Sequence, residues 1–456
     1  MDREFDRKVV DWLNDHKPEM YRDIDRLLSI ESVTGEPQPD APFGAQVKEA
    51  LDCILDICQQ AGMVTRNIDG MVGEATLGVG SQTLGVLTHV DVVPAGTGWR
   101  VKDYGLTVED GHLYGRGIID DKGPAVASVY ALRAAMAAGA TFHRKLVFIF
   151  GGDEEQGMKC VTHYLKSNKA PDMAWSPDAG FPVIHCEKTI AHAALLADVG
   201  AGSLLTGIRG GTRTNVVPNR AEALLRDQPL LDEPLPPGVG LDFTDGQWRM
   251  LATGRQAHAS TPDAGSNAIV ALLDGLRRVL PEGDPARDAA EGLWRCCAAT
   301  DGAGLRVDCR DHVSGALTLN LGVIDMADGV IRAKLDMRHP VEVDVQKTIY
   351  TALPAAAAAN GVRAVDMEHD QGFNLPKDHM LVKTLTDLYN DITGDRAEPV
   401  AIGGGTYARK LPCAVAYGMM FADDEECAHM VNEHISEEHF LQAVRIYAHA
   451  FRELAQ

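Results

Sequence analysis

An α/β domain built on a mostly parallel central sheet flanked by helices, interrupted by an inserted α+β domain with an antiparallel sheet, is the fold class the sequence predicts. Three observations carry it. The 456 residues exceed what one hydrophobic core usually organises. In the first 187 residues, short apolar runs alternate with helical periods. One later segment, 330–338, alternates strictly between apolar and charged residues.

Residues 44–61 place Val47, Leu51, Ile54, Leu55 and Cys58 at helical spacing, and Gly62 is a stop signal. Residues 84–88 form an apolar run that ends at His89. Residues 145–150 form a second, ending in Gly151-Gly152-Asp153-Glu154-Glu155. Between them, 124–138 reads as an alanine-rich helix. Wholly apolar strands belong to parallel sheets covered on both faces, and such sheets gather functional groups beyond the carboxyl ends of their strands. His89 and the acid run both sit at such ends.

After about residue 187 the texture changes. Loops rich in Gly and Pro at 209–218 and 229–240 lead to a strand at 249–253 and a helix at 268–280. In 330–338, Ile331, Ala333, Leu335 and Met337 share one face, and Arg332, Lys334, Asp336 and Arg338 the other. A strand with one wet face belongs to an antiparallel sheet. Residues 381–389 then read as helix and 415–421 as a strand that enters an acidic loop with His429. Ser436 caps a last amphipathic helix carrying Phe440, Leu441, Val444, Tyr447 and Phe451. The boundaries that follow are 1–187 with 378–456 for a discontinuous first domain, and 188–377 for the insertion. Residues 281–313, with Cys296 and Cys297, match no motif.

Composition narrows the function classes. A formal net charge of −22, dispersed along the chain, argues against nucleic acid or an anionic membrane as partner. The segment Met1-Asp2-Arg3-Glu4-Phe5-Asp6 lacks the apolar core of a signal peptide, and Arg133 and His143 interrupt the most apolar later stretch, so the expected location is cytoplasmic. Nine cysteines without a Cys-x-x-Cys pair read as reduced, packed thiols.

Five segments hold histidine and carboxylates at expected strand ends: His89-Val90-Asp91, Asp120-Asp121-Lys122-Gly123, Asp153-Glu154-Glu155, Ser176-Pro177-Asp178-Ala179-Gly180, and His429. Consecutive acids at the end of a buried strand repel one another unless cations are present. Asp91, two residues beyond His89, can lie on the same side of an extended segment and accept a hydrogen bond from the ring nitrogen that does not bind metal.

The order and wording of these segments resemble the dinuclear zinc peptidases that include aminoacylases, carnosinases and bacterial dipeptidases. The matching strings are His89-Val90-Asp91-Val92-Val93-Pro94, Gly115-Arg116-Gly117 leading to Asp120-Asp121-Lys122-Gly123-Pro124, Asp153-Glu154-Glu155, Ser176-Pro177-Asp178, Ala257-His258-Ala259-Ser260-Thr261-Pro262 and Gly403-Gly404-Gly405-Thr406. Within that family the Asp-Asp-Lys-Gly-Pro wording, the Gly-Gly-Gly-Thr-Tyr-Ala-Arg run and the length look most like the peptidase V type of dipeptidase.

The resemblance implies that Asp120 bridges two divalent metal ions, with His89 and Asp178 completing one site and Glu155 and His429 the other. Imidazole with carboxylate suits zinc and tolerates manganese or cobalt. It further implies Glu154 as the general base, His258 as a donor to the oxyanion with Asn215 beside it, and Arg338 as the holder of the substrate carboxylate. Residues 403–406 lack the Gly-Lys-Ser/Thr of a phosphate loop, and the amides around Gly404, Gly405 and Thr406 can cradle a carboxylate instead. His434 and His439 lack zinc-protease spacing and read as structural.

The expected activity is therefore hydrolysis of dipeptides. Two alternatives stand beside it: an N-acyl-amino-acid deacylase or amidase on the same machinery, and a non-catalytic peptide or metal binder, which would normally have lost Glu154 or a ligand. Length within the family favours a monomer over a dimer.

Overall fold

The computed structural model describes residues 2–200, 202–229, 233–244 and 246–456, so residues 230–232 of the loop expected at 229–240 lie outside the described residues. The chain divides into two compact units. The first comprises Met1–His185, Leu375–Val400 and Thr406–Gln456, and the second Cys186–Asn374 with Ala401–Gly405.

In the first unit, helices α1 (Arg3–Leu28) and α2 (Ala45–Gln60) precede strands β1 (Val64–Ile68), β2 (Val72–Leu77) and β3 (Thr83–His89). Then come α3 (Lys122–Ala137), β4 (Lys145–Gly151), α4 (Lys159–Ser167), β5 (Met173–Ser176) and β6 (Val183–Glu187), and later α5 (Met380–Thr393), β7 (Ala414–Tyr417) and α6 (Glu437–Leu454). The strands lie in the order β1-β2-β4-β3-β5-β7-β6. The central strands β4, β3, β5 and β7 run parallel, and the outer ones pair antiparallel.

The alanine-rich α3 is buried along nearly its whole length, because small side chains let it pack closely against α1, α6 and β3. Helix α1 has no counterpart in the sequence reading. Phe5, Val9, Leu13, Met20, Ile24 and Leu27 are buried along it at helical spacing, but Pro18 in its middle masks the signal. The strand expected over 415–421 stops at Tyr417. Gly418 adopts φ +83°, and a Cβ there would stand 2.4 Å from the Tyr447 hydroxyl. Ser436 caps α6 as expected, its Oγ accepting from the His439 N–H at 3.0 Å.

The second unit is an eight-stranded antiparallel sheet in the order Val239–Thr244, Gln247–Thr253, Arg220–Leu225, Leu205–Gly210, Thr318–Ala327, Val330–His339, Thr189–Asp198 and Arg363–Asp370. Helices Ala268–Val279 and Pro285–Cys297 bury Leu272, Leu276, Leu293 and Cys296 in its core. The second of these forms within the stretch that matched no motif. Asp284 caps it by accepting from the Ala286 N–H at 2.8 Å, and Pro285 opens its first turn.

One expectation about this sheet needs correction. The charged face of Val330–His339 is wet only over its first half, whereas Asp336 and Arg338 are buried. They satisfy each other: Arg338 donates from Nε and Nη2 to the Asp336 carboxylate at 2.7 and 3.0 Å.

All nine cysteines are free thiols. Among the described residues, no helix is long and apolar enough to cross a membrane.

Candidate metal centre

Register brings the strand ends of the first unit to one level. His89 closes β3 opposite Gly151 of β4, and the Val90 N–H still donates to the Gly151 carbonyl at 2.9 Å. That pairing sets Asp153-Glu154-Glu155 beside His89-Val90-Asp91. Strand β5 pairs Trp175 with Val86, so Asp178, three residues on, emerges level with His89. Asp120 comes from the turn before α3, where its peptide bond to Asp121 is cis, and His429 comes from the loop before α6.

Asp120 is the hub. Its Oδ1 lies 2.8 Å from His89 Nε2, and its Oδ2 lies 2.9 Å from His429 Nε2. His429 Nε2 is also 2.9 Å from Glu155 Oε1, and His89 Nε2 is 3.7 Å from Asp178 Oδ2. Ligand-capable atoms of His89, Glu154 and Asp178 lie within 4.8 Å of one another, and so do those of Asp120, Glu155 and His429. The five residues expected as ligands are thus assembled in one place, with Glu154 standing in the first group.

The acids play different parts. Asp153 caps α4, accepting from the N–H groups of Lys159 and Cys160 at 3.0 and 2.8 Å. Asp91 is fully buried, and its carboxylate accepts the N–H groups of Glu154 and Glu155 at 3.1 and 3.2 Å. The nearest acceptor for His89 Nδ1 is the Asp91 main-chain carbonyl at 2.9 Å, with the carboxylate at 3.4 Å. Orientation of the ring is therefore shared with the backbone, and the Asp91 side chain also ties the acid turn to the histidine strand.

Electrostatics mark the cluster as cation-demanding. Burial and the charge of Asp178 push the Glu154 carboxyl well above the usual carboxylate range, and burial together with Asp120 pushes Asp178 up to about 8. Burial and Asp120 raise Glu155 as well. Burial opposes protonation of His429, yet Asp120 and Glu155 outweigh it and push the imidazole up to about 11; His89 is raised in the same way by Asp120 and Asp91. Burial would raise Asp120, but the two imidazoles overcome it and hold its carboxyl far below the usual range. Four clustered carboxylates beside two imidazoles favour added positive charge, and oxygen with imidazole nitrogen is the donor set of zinc, manganese or cobalt.

Two residues here were given no role by sequence reasoning. Asp121, fully buried, accepts the His89 N–H at 3.0 Å. The rings of Tyr407 and His89 lie nearly perpendicular with centroids 6.0 Å apart, and the Tyr407 hydroxyl lies 2.9 Å from Cys160 Sγ. The doubled aspartate was a signal for the first; the second lies in the Gly-Gly-Gly-Thr-Tyr-Ala-Arg run, which gave it no role.

The other expected site residues, Thr406 apart, belong to the second unit. The segment around Asn215 pairs with that around His258: Val216 bridges His258, and the Ala259 N–H donates to the Asn215 carbonyl at 2.9 Å. His258 Nδ1 lies 2.6 Å from Ser260 Oγ. Arg338 donates from Nη1 to the Gly403 carbonyl at 2.8 Å, and a Cβ on Gly403 would stand 2.6 Å from that of Ser260. Asn215, His258, Arg338 and the loop of Gly404 and Gly405 are thus linked within this unit. Thr406 begins the next stretch of the first unit, where its Oγ1 caps a short helical turn by accepting from the Ala408 N–H at 3.1 Å.

The class of protein that this fold and donor set define is a metal-dependent hydrolase. The profile of Peptidase family M20/M25/M40 matches residues 85–453, and the chain belongs to that family. "Putative dipeptidase YtjP" of Bacillus subtilis (strain 168) is 33% identical over 96% of this chain and 98% of its own. The crystal structure of human carnosine dipeptidase 1 superposes with a TM-score of 0.62 at 15% identity, over 99% of each chain. That of the di-peptidase Dug1p from Saccharomyces cerevisiae gives 0.61 at 14%, over 98% of each. Both share the fold.

Proposed function

We propose that this metallopeptidase is a dipeptidase that holds two divalent ions, zinc by preference, on Asp120 as the shared ligand, with His89 and Asp178 on one side and Glu155 and His429 on the other. The observation that carries the reading is the pair of contacts at Asp120, whose two carboxylate oxygens each face a different imidazole at 2.8 and 2.9 Å. The relative from Bacillus subtilis, named as a dipeptidase, supports the substrate class.

Two ions so held would polarise the scissile carbonyl and make a nearby water acidic at neutral pH. Glu154 takes the proton of the attacking water on its carboxylate and returns it to the departing amine. Its main chain is anchored by Asp91, which supports a fixed position for that transfer. His258 donates to the developing oxyanion, with the Asn215 amide as a second donor, and Arg338 and the amides of Gly404, Gly405 and Thr406 take the carboxylate of the substrate. Nine free thiols support a reducing, cytoplasmic setting.

The test is a screen of the metal-reconstituted protein against dipeptides, tripeptides and N-acyl amino acids. Dipeptide cleavage is the expected result; deacylation without peptide cleavage would overturn the substrate class. In the same assay Glu154→Gln should lower kcat by about 10²- to 10⁴-fold while binding the same number of ions. Unchanged turnover removes Glu154 as the base.

A further inference from the structure

Behind the centre lies an ion pair between Arg116, of the Gly115-Arg116-Gly117 string, and Glu433, which no motif contained. Glu433 is fully buried and Arg116 almost so. Glu433 Oε1 accepts the N–H groups of Ile119, Gly117 and Asp120 at 2.8, 3.1 and 3.3 Å. Its Oε2 accepts from Arg116 Nη1 at 2.5 Å, and its main-chain carbonyl accepts from the Gly115 N–H at 3.1 Å. The carboxylate therefore holds the turn that carries Asp120 by that residue's own backbone.

Arg116 reaches the other way. Its Nη2 donates to the carbonyl of Met430, the residue after His429, at 3.1 Å, and its guanidinium lies 5.5 Å from the Trp99 ring centroid. The loop that carries His429 needs such support. His429 and Asn432 both sit at left-handed φ, +63° and +60°, which a residue with a Cβ rarely adopts unaided. The planar guanidinium can hold Glu433 and Met430 at once. Its charge also offsets Glu433 next to a centre already crowded with carboxylates.

We propose that Arg116 and Glu433 form a buried brace that sets the spacing of Asp120 from His429, and thereby governs how tightly the ion on the His429 side is held. Both are positioning residues. The inference rests on the reading of the site as a two-ion centre.

The experiment is a calorimetric titration of metal-stripped full-length protein with zinc, for wild type, Arg116→Lys and Glu433→Gln. Lysine keeps the charge but loses the fork that joins Glu433 to Met430. Glutamine keeps the Oε1 acceptor for Ile119 and Asp120 but turns an amide toward Arg116. Wild type should take up two ions. In each variant the first ion should bind within about threefold of wild type, and the second roughly 10- to 100-fold more weakly, the range typical of groups that orient metal ligands. Turnover should recover at high metal concentration. Equal weakening of both ions, or of neither, overturns the brace. Should Glu433→Gln fail to fold, Arg116→Lys decides alone by the same criterion. A wild-type chain that binds no ion would instead remove the metal reading itself.

Discussion

Replacing Gly123 by alanine sets helix propensity against packing, and the structure says which wins. Gly123 is the second residue of α3, and its φ lies outside the left-handed region, so alanine adopts its backbone conformation without strain. Conformational entropy alone would then stabilise the variant by about 0.5–1 kcal/mol. The added Cβ, however, would stand 2.1 Å from the Ile118 carbonyl oxygen and 2.9 Å from its carbonyl carbon. A close carbon–oxygen contact needs roughly 3.3 Å, so the peptide after Ile118 must retreat by about 1 Å. Both obstructing atoms are main chain, so no side-chain rotation relieves the clash.

Ile118 is two residues from Asp120, and the Gly123 N–H closes the same turn by donating to the Gly117 carbonyl at 2.8 Å. The displacement therefore reaches the proposed bridging carboxylate. A misplacement of about 1 Å costs about 100-fold in rate, equivalent to about 2.7 kcal/mol, and overpacking costs about 1–3 kcal/mol in stability. The packing penalty exceeds the propensity gain. Gly123→Ala should lower kcat/KM on a dipeptide about 100-fold, weaken metal uptake and lower the melting temperature. A variant with an unchanged or higher melting temperature and wild-type kcat/KM would refute the reasoning.

Three further outcomes are expected. In metal-stripped protein, the Asp178 carboxyl is raised to about 8 by burial and by Asp120. The stability this group contributes is fully present below the unfolded-state pKa near 4 and is lost as pH rises through about 8. The melting temperature of the stripped protein should thus fall with rising pH relative to the zinc-loaded protein over that window, and a constant difference between the two forms would count against it. Asp336→Ala leaves the buried Arg338 without its carboxylate and should cost about 3–5 kcal/mol in denaturant unfolding; a loss under about 1 kcal/mol would show that the pair is not the anchor. Ser436→Ala removes the cap of α6 and should cost about 1 kcal/mol by the same measurement, with dipeptide kcat unchanged.

Much of the fold was legible because its signals are local. The apolar run into His89 and the run into Asp153-Glu154-Glu155 both became parallel neighbours, and the alternation in 330–338 became an antiparallel strand. Helix α1 was not read, since Pro18 breaks the pattern while the buried face around it supplies enough packing to keep the helix. The helix Pro285–Cys297 carried an Asp-Pro start signal that went unused.

The candidate centre was legible as residue types and only partly as roles. Three consecutive acids look alike in sequence, yet Asp153 is consumed in capping α4 while Glu154 and Glu155 join the metal-type clusters. The charged face of the alternating strand looked solvated, yet Asp336 and Arg338 lie buried against each other.

By itself the sequence determined many of the strands and helices, though neither α1 nor the helix Pro285–Cys297, and that His89, Asp120, Glu155, Asp178 and His429 are of the kind that binds metal. Periodicity and residue chemistry are properties of neighbours along the chain. Tertiary structure alone decided that the two oxygens of Asp120 face two imidazoles, and that Glu433 holds the backbone of Asp120 from 313 residues away. Such partnerships depend on hydrogen-bond geometry between segments with no shared period, and a buried carboxylate reveals its purpose only through the donors that fold around it.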